Sequence, residues 1–418
     1  MTAIRALISM IGCVAAIAGT VAAQPVVVAG TGNPDLDVPA VQAAVDRGGH
    51  LVLAGHFSFD RPPTTPAGKP YARMVTVSKN IVISGSRDQN GDMPTIEGGE
   101  WPFLVDALDA RVTIQGLHFV RPRAGAIWIY AVAGLVVTGC RIESVEPTAQ
   151  YAIDAGQVGP VSTAIFAGAN PHPPSATQLG QPENFSGTLA FLNNDIDVGV
   201  GTTPGAQTLG IVLFNVGRSP DKEVDIYVSA NNFRNSTEPA INFRVIGGRA
   251  SAERNVIVTG VTGGADAIRI VGSGSYLITH NSIDCGWANG AATGINVFAQ
   301  AFAPEASAIV VNNDITMSAP EGTVFGGASS AGIAIRGFAQ ANWVLNNRIR
   351  GRARAALAVM DLNGGIPGNN SFVANDLDGF QSSLTDIFVD AGVTNTAVIG
   401  RPARVEDHGT GTVIVPMQ

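Results

Sequence analysis

Cysteine is scarce in this chain: three in 418 residues, at positions 13, 140 and 285. The six histidines (His50, His56, His118, His172, His280, His408) are scattered, and no His-x-x-His or Cys-x-x-Cys spacing occurs, so no transition-metal site is expected. Aromatics make up 6% of the residues and charged residues only 14%, with 25 Lys and Arg against 33 Asp and Glu. A formal charge of −8 argues against general nucleic-acid binding, which rests on basic surface. After the first two dozen residues no run is long and apolar enough to span a bilayer. No strongly helix-periodic segment of useful length follows residue 50. What remains is a glycine-rich chain (50 residues) of 45% hydrophobic content, a composition that suits many short buried segments rather than solvated helices.

The N-terminus reads "MTAIRALISMIGCVAAIAGTVAAQ". One cation, Arg5, precedes an apolar stretch, and Val21 and Ala23 stand before Gln24 in an A-x-A-like cleavage pattern. Residues 1–23 are therefore expected to be a secretory signal peptide, cleaved after Ala23. Their removal takes away Arg5 alone and moves the formal charge from −8 to −9. The mature protein is expected to be secreted or periplasmic, with Cys140 and Cys285 as its cysteines.

Across the rest of the chain one pattern recurs: an apolar run, Asn, one polar residue, then Ile. It is seen in "YLITHNSID" (276–284), "AIVVNNDITMS" (308–318) and "NWVLNNRIR" (342–350). Aligning these turns gives one column of Asn194, Asn231, Asn255, Asn281, Asn313, Asn347 and Asn375, with Cys140 in an earlier copy. Upstream of each turn lies a second motif, small-apolar-x-apolar-x: "AIWIY" at 126, "AIFAG" at 164, "GIVLF" at 210, "AINFR" at 240, "AIRIV" at 267, "GINVF" at 294, "GIAIR" at 332 and "ALAVM" at 356. Successive copies start 24 to 46 residues apart. Repeats of this length built from short alternating strands mark a solenoid, whose units bury their apolar faces only by stacking.

Stacked coils place equivalent residues about 4.8 Å apart, so the asparagines are expected to form an amide ladder at one corner. Asn also tolerates left-handed backbone, which a sharp bend requires. On this register Cys140 and Cys285 lie four coils apart, roughly 19 Å, which exceeds disulfide reach and leaves both thiols free. The sequence divides into the signal peptide (1–23), an N-terminal cap (24–50) with a short amphipathic helix in "DVPAVQAAVDRGG" (37–49), and a solenoid over 51–418. A helix there covers the first coil's open edge. "HLVLAGHFSF" and "VTIQGLHFVRP" supply early coils, and "TDIFVDAG" and "GTVIVPM" the last strands. A long, partly proline-rich loop is expected at about 144–188.

The opening "VQAAVDRGGHLVLAGHFSF", the "VTIQGLHF" coil and the "NNDI", "HNSI" and "NNRI" corners together resemble the pectin-lyase-like superfamily. The resemblance spans most of residues 37–400. It implies an all-β fold, a right-handed parallel β-helix of about ten coils with a short N-terminal capping helix, and a polysaccharide as partner. Superfamily members include polysaccharide lyases, hydrolases, epimerases, phage tailspikes and non-catalytic surface proteins, so the fold does not select a reaction. The chain departs from the specific enzyme motifs. It lacks the Asn-Thr-Asp, paired-aspartate and Gly-His-Gly set of polygalacturonases and the Arg-x-Pro-x-x-Arg element of pectate lyases. "NPHP" (170–173) does not match the Asp-Pro-His-Asp of alginate epimerases.

Within the small-apolar-x-apolar-x motif, strand alternation sends the third and fifth residues outward. One outward column then runs Trp128, Phe166, Val212, Asn242, Arg269, Asn296, Ala334, and the other Tyr130, Gly168, Phe214, Arg244, Val271, Phe298, Arg336, Met360. A groove for an acidic glycan follows, with Trp128, Tyr130, Phe214, Asn242, Asn296, Phe298 and Arg336 binding substrate. Arg244 and Arg269 carry the chemistry if there is any, since a guanidinium fork suits a uronate carboxylate. The bland alternative is a solvated sheet with its aromatics packed under loops. A second candidate is an acid pair among Asp195, Asp197, Asp284, Asp314, Asp376 and Asp378, where exposed-sheet polarity is the plainer reading. Two of them could hold Ca²⁺, although the spacing matches no dedicated loop. "NNRIRGRAR" (346–354) concentrates four arginines and reads as a local patch for an anionic ligand or, more plainly, a solvated edge. A lyase is favoured over a hydrolase if the protein is catalytic; the alternative is a surface, adhesion or scaffold protein. The oligomeric state is left open.

Overall fold

The computed structural model describes residues 24–60, 73–143, 145, 161–168, 184–199, 207–214, 216, 224–244, 247–260, 266–286, 292–300, 306–321, 323, 330–362, 364–401 and 403–417. The signal peptide expected over 1–23 lies outside them. So does most of the loop expected over 144–188, within which Val161–Ala167 is a strand.

Every pairing between named strands is parallel, and each strand stacks on its counterpart about one repeat away. The strands fall into three faces of a solenoid. The first runs from Val26–Ala29 through Asp225-bearing Val224–Ser229 to Val413–Pro416. The second runs from His56–Ser58 to Phe380–Ser382. The third runs from Arg73–Val77 to Val405–Asp407. The first and third merge into one continuous sheet because the long strands Trp101–Gln115 and Ile127–Thr138 bend across their shared corner. This is a parallel β-helix, and parallel crossovers of this kind take the right-handed sense.

The recurring Asn-x-Ile has a physical explanation. Its Ile points into the bore, where the second face stacks Phe57, Ile96, Phe119, Ile142, Ile196, Phe233, Ile257, Ile283, Ile315 and Ile349 in register. The third face supplies a matching aliphatic stack, in which Ile211, Ile241, Ile268, Ile295, Ile333 and Leu357 align. All of these side chains are buried, and each is worth about 2–3 kcal/mol relative to exposure.

The Asn forms the corner between first and second faces. Asn194 Nδ2 donates to Asn231 Oδ1 at 2.9 Å, and the chain of amides continues through Asn255, Asn281, Asn313 and Asn347 to Asn375. Each Oδ1 also accepts a backbone N–H from the preceding coil, including that of Cys140 at 3.0 Å. One expectation is corrected here. The left-handed residue is not the ladder Asn but its predecessor: Asn193, Ala230, Arg254, His280, Asn312, Asn346 and Ala374 all have φ between 51° and 57°. The ladder Asn is selected for its amide, not for backbone tolerance. A second, shorter ladder joins Asn342 to Asn370 where the chain enters the first face, each preceded by a left-handed residue (Ala341, Asn369).

At the N-terminal end the helix Pro34–Val45 begins earlier than the apolar spacing suggests, because Asn33 caps it and proline occupies its first turn. Gly48 and Gly49, at φ 72° and 83°, carry the chain out of it. The helix covers the first coil through side chains that imitate a neighbouring strand. Gln42 accepts from Thr76 N at 2.8 Å and donates to Thr76 O at 3.0 Å, while Asp37 accepts from Ser58 N and Thr31 N. The open hydrogen-bonding edge is thereby closed. Cys140 and Cys285 are free and buried, as the register requires. No helix among the described residues is long and apolar enough to cross a membrane.

Candidate functional site

The outer surface of the third face changes character along the stack. In the early coils Trp101, Leu104, Trp128, Phe166, Val212 and Phe214 pack into a separate apolar cluster outside the bore, with Tyr130 half-buried beside it. Trp128 and Phe214 are 5% and 3% exposed, so they present little surface to a ligand. Late coils carry a smaller apolar cluster of Ala331, Ala334, Ala358 and Met360. Between the two clusters lies a patch of charge.

In this patch Asn242, Arg269 and Asn296 are register partners on three successive strands, Ile241–Arg244, Asp266–Val271 and Thr293–Ala299. Arg244, Val271, Phe298 and Arg336 form the adjacent column. The structure thus brings together five of the polar residues picked from sequence, with half-buried Phe298 beside them, while Trp128, Tyr130 and Phe214 belong to the neighbouring aromatic cluster. Phe214 still touches the site, since its ring lies 5.1 Å from the Arg244 guanidinium carbon, within cation–π range.

Two further residues organise the patch. Asp266, 4% exposed, accepts from Arg269 Nε at 2.5 Å and from Asn296 Nδ2 at 3.0 Å. Glu238 lies 3.5 Å from Arg269 Nη2. Sequence reasoning missed both because it assumed strict alternation. At the entry to the third face two consecutive residues, Ala267 and Ile268, both join the bore, as do Ala240 and Ile241. The break leaves Asp266 beside Arg269 although the two are three positions apart. An acidic residue just before the small-apolar motif was the available signal.

Electrostatics divides the two carboxyls. Burial disfavours the charge on Asp266, but Arg269, then Arg336, and the hydrogen bonds from Asn296 and Arg269 outweigh it and hold the carboxyl below its usual range. Glu238 moves the other way: burial dominates, Arg269 opposes it, and Asp266 adds repulsion, so its proton is held above the usual range. Arg244, desolvated and facing Arg269, is pushed down to about 10, and burial likewise lowers Arg336, which donates to Thr293 Oγ1 at 3.1 Å. Arg269 is raised, because Asp266 and Glu238 outweigh its burial. Two guanidiniums, Arg269 and Arg336, thus act on one firmly ionised carboxylate, with Arg244 close enough to Arg269 to feel its charge. Pairs of groups pushed apart in this way are what acid–base chemistry requires.

The aspartates of the second face behave differently. Arg234 bridges Asp195 and Asp197 at 2.7 and 3.4 Å, Arg350 pairs with Asp314, Arg348 with Asp376, and Arg401 with Asp378. Ser318 donates to Asp284 at 2.9 Å. These are neighbouring-coil pairs on half-exposed or exposed surface, and they take up two of the four arginines of 346–354. Among the described residues no three His, Cys, Asp or Glu side chains converge as a metal-binding group.

No family model matches the chain, and no curated protein does. Among solved structures it is similar to the A-module of the Azotobacter vinelandii mannuronan C-5 epimerase AlgE6, at 13% identity over 91% of this chain and 96% of that one, TM-score 0.38. It is similar to the Dettilon tailspike protein at 14% identity over 93% and 68%, TM-score 0.44. The catalytic domain of a GH87 alpha-1,3-glucanase follows at 11% identity over 95% and 67%, TM-score 0.33. Likenesses of this size carry no inference about activity. By its own strand register the chain is a right-handed parallel β-helix protein.

Proposed function

We propose that this is an exported carbohydrate-interacting β-helix protein whose third face binds an acidic glycan and cleaves it by β-elimination. The observation that carries the proposal is the cluster of Arg269 and Arg336 on Asp266 with Arg244 beside Arg269, a local concentration of guanidiniums in a chain with net charge −8. Desolvating three guanidiniums is costly in a purely structural patch and useful when an anion enters. Export rests on the sequence of residues 1–23.

The roles follow from the environments. Arg269, held by Asp266 and Glu238, neutralises the uronate carboxylate and so acidifies the C5 proton. Arg244, with the depressed value of about 10, is the most basic-competent guanidinium and takes that proton. The C4–O bond then breaks, a C4–C5 double bond forms, and Glu238, which holds its proton high, delivers it to the leaving oxygen. Hydrolysis is the second reading, favoured by the unequal Glu238 and Asp266 pair.

The test incubates the chain from Gln24 onward with acidic and neutral polysaccharides, with and without Ca²⁺, following reducing ends and the ultraviolet absorbance of unsaturated uronates. Both signals rising, and both lost in Arg244→Ala and Arg269→Ala, is the expected result. Reducing ends alone indicate a hydrolase. Binding without either product indicates a non-catalytic surface protein, and no binding to any polysaccharide refutes the proposal.

A further inference from the structure

The charged patch contains buried polar atoms that its own hydrogen bonds leave unanswered. Asn296 spends its Nδ2 on Asp266, and because a carboxylate only accepts, its Oδ1 must point away. Among the described residues that Oδ1 is buried without a partner, and so is Oδ1 of Asn242. The two residues are 4% and 2% exposed and occupy the coils directly on either side of Arg269. On the Asn242 strand, Arg244 Nε is likewise buried with no partner among the described residues. A buried acceptor without a donor is destabilising, so two of them flanking one arginine form an arrangement that a ligand would relieve.

The order across the sheet is acceptor, cation, acceptor, with roughly 4.8 Å between neighbouring coils. A bare polyanion satisfies the cation and leaves both acceptors empty, facing further negative charge. A sugar acid places its carboxylate on Arg269 and has hydroxyl donors on neighbouring carbons and on the adjoining unit. We propose that Asn242 and Asn296 read free hydroxyl groups on the acidic glycan, making the site selective for uronates that are not O-acetylated. This rests on the acidic-glycan reading above and adds what that reading does not specify. Acetylation replaces a donor with a bulkier ester that only accepts, so the penalty falls on the two asparagines rather than on the arginines.

The experiment measures binding of polygalacturonate and alginate, each as the free-hydroxyl polymer and after chemical O-acetylation, to the unmodified protein by calorimetry. The expected result is at least one free-hydroxyl polymer binding about tenfold more tightly than its acetylated form, the worth of roughly one lost hydrogen bond. Asn242→Leu, which keeps the volume and removes the acceptor, should weaken the free-hydroxyl polymer and shrink the discrimination, while the acetylated polymer is held as before. Equal binding of the paired polymers overturns the hydroxyl inference and leaves the acidic-glycan reading standing. No binding of any of the four polymers overturns both. Should the variant not fold, the paired polymers on the unmodified protein still decide the matter.

Discussion

Asp266→Asn tests the architecture of the charged patch directly. The substitution keeps shape but removes the anion to which Arg269 Nε is bound at 2.5 Å and which also attracts Arg336. Removing one partner of a buried pair typically costs 3–5 kcal/mol. Arg269 keeps 28% of its side chain exposed and retains Glu238 at 3.5 Å, so the expected loss is smaller, about 2–3 kcal/mol. The sign with pH is fixed by the direction of the shift. A carboxyl held below its unfolded value contributes stability above that value and loses it as pH falls through the folded one. Urea midpoints of wild type and variant should therefore differ at pH 7, and the difference should begin to shrink once the pH falls below the ordinary carboxylate range. A difference under about 0.5 kcal/mol at pH 7, roughly that of an ordinary surface change, or one that grows as the pH falls would refute the account.

The amide ladder should be costlier to break in its middle than at its end. Asn281→Ala strips acceptors from the Asn255 N–H and Nδ2 and a donor from Ala252 O, with an expected loss of about 3–5 kcal/mol by urea denaturation. Half-buried Asn375→Ala should lose less than half of that, and exposed Ser307→Ala almost nothing; equal losses at 281 and 375 would contradict the ladder. If Arg244 is the proton acceptor, its free-base fraction rises from about one part in a thousand at pH 7 to about a tenth at pH 9, so elimination should accelerate steadily over that range. A rate that stays flat or falls over that range would rule out Arg244 as the base. Cys140, pushed up to about 11 by burial, and Cys285, raised further, should resist a thiol reagent in the native protein and both react in denaturant. Fast native labelling of either would show that the bore opens.

The solenoid was legible in the sequence because its determinants are local and repeated. An Asn whose amide must meet the next Asn recurs in every coil from 194 to 347, and an Ile that must fill the bore in all of them but one, where Phe233 takes its place; period-two alternation then assigns the outward columns. Asn242, Arg244, Arg269, Asn296 and Arg336 were found in this way. Tertiary structure alone decided that the bend falls on the residue before each ladder Asn, since left-handed φ leaves no single residue type behind: Ala230, Arg254 and His280 all adopt it. It also decided that Trp128 and Phe214 are covered rather than offered to a ligand, because the apolar cluster around them draws residues from separate coils. Asp266 and Glu238 emerged only in three dimensions. Their partnership with Arg269 depends on a break in alternation at Ala267–Ile268 and on the stacking of neighbouring coils, and neither is written in the order of residues along one strand.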